Sequence, residues 1–73
     1  MTKLNRPHTV VTYKRNGRVE TWSRPGHLMP SGVGKQAGVE QVLKPRGVRG
    51  AIVVRHHAAG GGLVAIFPHV IQG

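Results

Sequence analysis

The chain has 73 residues, with eleven Lys and Arg against two acids, Glu20 and Glu40; its formal charge is +9 and its pI about 11.9. That length allows a single small domain, and with no cysteine neither a disulfide nor a thiolate metal site can reinforce it. A chain this basic repels itself and attracts polyanions, so the favoured partners are nucleic acid, an acidic protein surface or a membrane surface.

Residues 1–7 read as a flexible basic arm, and residues 8–73 as one domain with a fraying C-terminus. Pro7 favours an extended entry. The first two strands, over about 8–15 and 18–24, meet at Asn16-Gly17, the pair a type I′ hairpin turn prefers because both positions need positive φ. That register pairs Arg15 with Arg18, Tyr13 with Glu20 and Val11 with Trp22. Val11, Tyr13 and Trp22 then share one face, expected to be the core face because Trp has most to gain from burial. Val10, Thr12, Val19 and Thr21 share the other.

Pro25-Gly26 suits positions i+1 and i+2 of a type II turn. Ser31 is a candidate cap for a short helix over about 33–44, with its firm part at Gln36–Leu43 and Pro45 as its stop. Val33, Ala37 and Val42 or Leu43 form a partial helical stripe, weakened by Gly34 and Gly38. "KPRGVRG" reads as a basic loop. The β-branched run over about 51–57 and the apolar run over 63–67 form a second hairpin, reversed by "AAGGG". Pro68 ends the last strand or confines it to a sheet edge. Ile52, Val54, Val64 and Ile66 complete the expected core. The fold class is α+β, a small antiparallel sheet of two hairpins with one short helix.

Several familiar motifs fail. "GVGKQA" has dinucleotide-fingerprint spacing at Gly32, Gly34 and Ala37, but no strand leads into it. A phosphate loop would need Gly at 29 and Ser or Thr at 36, where the chain has Met29 and Gln36. His56 and His57 are neighbours in a strand and point to opposite faces, so they cannot share one metal ion. His8, His27 and His69 lie in other segments. Glu20 sits among Arg15 and Arg18, which would hold it ionised and paired, and neither Ser23 nor Ser31 has a base to activate it. The expectation is a protein that is not an enzyme and has no cofactor or metal. The apolar runs Ala51–Val54 and Leu63–Phe67 fall far short of the roughly 20 residues of a spanning helix, and no leader is visible at the start.

Two basic clusters remain. The first is Lys14, Arg15, Arg18 and Arg24, and the second is Lys44, Arg46, Arg49 and Arg55. They are the candidate surface for a partner or for RNA. Five phosphate contacts would give log K a slope of roughly −4 to −5 against log salt. The few aromatics do not interleave with these cations as a stacking platform would, and no basic helix suits a major groove. An open sheet edge, on the last or first strand, offers strand pairing with a protein partner instead.

In length, basic cysteine-free composition and the stretch "TVVTYKRNGRVETWSRPGHLMP", the chain resembles small phage-encoded regulators that bind the RNA polymerase of plant-pathogenic host bacteria. The resemblance implies a monomeric transcription factor in the cytoplasm of the infected cell. It would inhibit initiation and suppress termination (antitermination) by binding the largest catalytic subunit near the RNA exit path, close to nascent RNA. It transfers no individual contact residues. Charge alone also allows a free-standing RNA- or DNA-binding module, or a basic structural component of a virion or ribosome.

Overall fold

The computed structural model describes residues 6–72. The arm expected over 1–7 therefore lies mostly outside the described residues; the carbonyls of Arg6 and Pro7 accept hydrogen bonds from His8 Nδ1 and Gly26 N, both at the start of the domain.

Four strands form one antiparallel sheet in the order β2-β1-β3-β4, with β1 at His8–Arg15, β2 at Arg18–Pro25, β3 at Gly50–His57 and β4 at Leu63–Ile71. Asn16 (φ 56°) and Gly17 (φ 78°) adopt the left-handed backbone that a type I′ turn requires. The first hairpin has the register read from sequence, with Val11 opposite Trp22 and Tyr13 opposite Glu20. The second hairpin reverses through a loop in which Ala58 N donates to Gly62 O and Gly61 N to Ala58 O.

The two hairpins join through β1 and β3, so β1 is a central strand and the open edges are β2 and β4. Pro68 sits on such an edge and does not end its strand, which continues to Ile71, a residue 1% exposed. The expected fraying therefore does not extend to Ile71.

The linker departs furthest from expectation. The helix, α1, occupies only Val39–Leu43 and passes into a 3-10 turn at Lys44–Arg46. Its N-cap is Gly38, whose N–H donates to Gln41 Oε1 at 2.8 Å; Ser31 does not cap it. Val33 and Gln36 form a small bridge outside any helix, and both Val33 and Ala37 are exposed. Pro45 stands at the first turn of the 3-10 segment, where its missing N–H costs nothing. Two glycines and a thin apolar stripe could not carry the helix further back.

α1 covers one face of the sheet. Val39, Leu43 and Val48 pack with Val11, Tyr13, Ile52, Val54 and Ile71, and Trp22, Leu28 and Phe67 flank them half-buried. Val64 and Ile66, expected in the core, are instead 59% and 48% exposed and lie on the opposite face. Val54 pairs with Phe67, so period-2 alternation sends Ala65, Phe67, His69 and Ile71 inward. β4 is apolar in both phases, and the phase holding Phe67 and Ile71 buries more area than the one holding Val64 and Ile66.

Candidate binding surface

Each end of the sheet has its own chemistry. At one end lie the first hairpin's tip, the 3-10 turn and the start of β3. Arg15 Nε lies 3.1 Å from Glu20 Oε1, and Arg15 Nη1 donates to the Arg46 carbonyl at 3.0 Å. Arg49 Nη1 donates to the carbonyls of Lys44 and Val48, each at 3.0 Å. Glu40, Gln41, Lys44, Pro45 and Arg49 line a shallow groove of about 370 Å³.

Lys14, Arg15, Arg18, Lys44, Arg46 and Arg49 therefore share one end. The two sequence clusters meet there because the fork of Arg15 reaches across to Arg46. Both nearby acids are already engaged: Glu20 with Arg15, and Glu40 with His69 Nε2 at 2.7 Å. The end thus keeps an excess of positive charge.

Tyr13 lies just behind this end, 8% exposed and opposite Glu20. Burial raises the pKa of its phenol above the ordinary value, and the Glu20 carboxylate raises it further, against smaller lowering effects from Arg15 and Arg46.

Arg24 and Arg55 stand apart. Arg24 pairs in register with Thr9, near the far end of β2, and its guanidinium lies 5.1 Å from the centroid of the Trp22 ring. Arg55 projects from the uncovered face, where Nη1 donates to Thr12 Oγ1 at 3.4 Å.

Histidines gather at the opposite end. His8 stacks on His57 at 5.1 Å, and His27 on His56 at 4.5 Å. His56 points into the core and His57 away from it, as strand alternation requires. His56 Nε2 lies 2.7 Å from the Leu28 carbonyl and His27 Nε2 lies 2.9 Å from that of His57. A carbonyl only accepts, so both nitrogens carry the proton and donate. Thr9, fully buried, donates to the Gly26 carbonyl at 2.6 Å and accepts from Leu28 N at 2.8 Å. These bonds pin the start of the linker to the sheet. Among the described residues no three His, Cys, Asp or Glu side chains are placed to hold a metal ion.

By assigning Val64 and Ile66 to the core, sequence reasoning missed the apolar extent that β4 gives the second face of the sheet. Leu63, Val64, Ile66 and Val70 are each roughly half exposed, and Val53 and Val10 lie beside them partly covered. The double-phase apolarity of β3 and β4 was the available signal; an antiparallel strand with one wet face would alternate. Among the described residues no helix is long and apolar enough to cross a membrane.

No known protein family, curated protein or solved structure matches the chain.

Proposed function

We propose that this chain is a non-catalytic binding protein that engages nucleic acid through its basic end. The observation that supports this reading is the convergence of Lys14, Arg15, Arg18, Lys44, Arg46 and Arg49 on one end, with the nearby acids already paired. Lys and Arg on short, well-anchored turns suit phosphate contacts, which position a protein without reading bases. The arrangement offers no aromatic platform and no basic helix, so the reading favours backbone contact with RNA over sequence recognition.

The resemblance to phage regulators adds a finer setting. In it, the protein binds bacterial RNA polymerase near the RNA exit path, inhibits initiation, suppresses termination and turns its basic end to the transcript. The unpaired edge of β4 supports a protein contact of that kind, since an edge strand can accept a partner's strand.

Two experiments test the two levels. Titration of a short single-stranded RNA from low to moderate salt should give a steep negative slope that flattens when Arg18 and Arg46 are replaced by Ser. No binding at low salt sinks the nucleic-acid reading. A pull-down from nuclease-treated bacterial lysate should retain RNA polymerase, and its loss after nuclease sinks the direct polymerase contact.

A further inference from the structure

The sheet has a second face, away from α1, which no element among the described residues covers. Along its centre the register sets Val10, Arg55 and Ile66 side by side on β1, β3 and β4, with Val53 and Pro68 in the adjoining row. Val70 and Ala51 extend the apolar surface toward the basic end. Arg55 is the single guanidinium in the middle of this surface. Its neighbour is a neutral hydroxyl, Thr12, and both acids of the chain lie elsewhere, with Glu20 opposite inward-facing Tyr13 and Glu40 bonded to inward-facing His69.

We propose that this face is a docking surface for an acidic amphipathic helix of a partner protein. Three features of the face select that occupant. The first is charge. A guanidinium set among aliphatic side chains recognises a carboxylate by a two-pronged hydrogen bond, and its planar head tolerates desolvation better than an ammonium does. The chain has no acid on this face to supply that carboxylate.

The second is exclusion of a second copy. Two such faces brought together would set Arg55 against Arg55 in chains of formal charge +9 each. The face is also small: four strands and about six residues of each cover about 400 Å², room for a single helix but half of the about 800 Å² that each partner buries in a stable dimer.

The third is shape. A helix about 10 Å across spans the β1–β3 pair and reaches β4 when laid on strands about 4.8 Å apart. Apolar side chains at i, i+3, i+4 and i+7 would meet Val10, Val53 and Ile66 while a flanking Glu meets Arg55. This surface is separate from the basic end, so the inference does not depend on the nucleic-acid reading.

The test uses the whole chain and a synthetic amphipathic helix of Leu, Ala and Glu, compared with a Lys-for-Glu version and with a peptide of the same composition whose apolar stripe is scrambled. Amide chemical shifts on addition of the acidic helix should move at Val10, Thr12, Val53, Arg55, Ile66 and Val70. Arg55→Glu should weaken binding about tenfold, equivalent to about 1.4 kcal/mol, and Ile66→Ser should do the same, while RNA affinity at the basic end stays unchanged in Ile66→Ser. Val70→Ser, at another exposed position, serves as the second variant should Ile66→Ser unfold.

Equal binding by the scrambled peptide overturns the proposal, as do shifts confined to Arg15, Arg18 and Arg46, or no binding at all. A dimer in sedimentation that Ile66→Ser dissolves assigns the face to a second copy. Binding to phosphatidylserine vesicles that Ile66→Ser abolishes assigns it to a membrane. Either result overturns the proposal.

Discussion

Arg15 ties the two halves of the basic end together: its Nε lies 3.1 Å from Glu20 Oε1, and its Nη1 donates to the Arg46 carbonyl at 3.0 Å. One planar fork serves two acceptors on different elements. A lysine cannot do both, because its ammonium is a single point at the end of a flexible stem.

Arg15→Lys keeps the charge and loses the fork. It should leave the salt dependence of RNA binding intact and destabilise the fold by about 0.5–1 kcal/mol, the range of a partly exposed pair. Arg18→Ser should change stability by less than about 0.5 kcal/mol and flatten the salt slope by about 1. Urea melts and RNA titrations at several salt concentrations measure both, and an unchanged slope in Arg18→Ser would remove that residue from the interface.

Tyr13 should titrate late. Burial and the Glu20 carboxylate both favour its neutral phenol, so its pKa lies above the ordinary 10.0. A raised phenol contributes stability that is complete below about pH 10, the unfolded value, and is lost as pH climbs through the folded value. Absorbance near 295 nm follows the phenolate. Glu20→Gln should lower the midpoint, and a wild-type midpoint at or below the ordinary value would contradict this account.

The helix anchor should matter more than the tryptophan. Leu43 is fully buried, whereas Trp22 is half-buried on an edge strand. Leu43→Ala should cost about 2–5 kcal/mol, enough to unfold a domain this small, and Trp22→Ala about 1–2 kcal/mol, roughly half of a full burial term. Circular dichroism melts rank the two, and the reverse order would relocate the core.

Gly38 is the tightest position of the linker. A Cβ there would meet the Ser31 carbonyl oxygen at 2.6 Å and Gly32 N at 2.8 Å, both backbone atoms that cannot swing away. Gly38→Ala should cost about 1–3 kcal/mol through overpacking, while Gly60→Ala, with nothing within 4 Å, should stay within about 0.5 kcal/mol. Equal effects would mean that the loop over residues 31–38 yields easily.

The register of the first hairpin was legible because Asn16-Gly17 dictates its own dihedrals, although β2 runs on to Pro25, one residue past its expected end. The face of β4 was not, since "LVAIFPHVI" is apolar in both phases and only pairing with β3 chooses between them. The linker was read too helically because the closeness of Gly38 to Ser31 and Gly32 is a tertiary fact. Val48, a lone apolar residue inside "PRGVRG", has no periodicity to betray its burial. Among the cations, charge marked the right residue types; that Arg15 reaches Arg46 while Arg55 turns to the other face follows from strand alternation and long-range packing.

The strand order β2-β1-β3-β4 has a kinetic consequence. Each hairpin closes locally, but the β1–β3 seam joins His8 to His57 and Tyr13 to Ile52. A linker of roughly two dozen residues costs about 3 kcal/mol to close, and an isolated two-stranded hairpin barely holds itself together in water. The slow step of folding is therefore the zipping of that one seam, and residues along it, Val11 and Val54 above all, are where mutation should slow folding itself and not merely hasten unfolding.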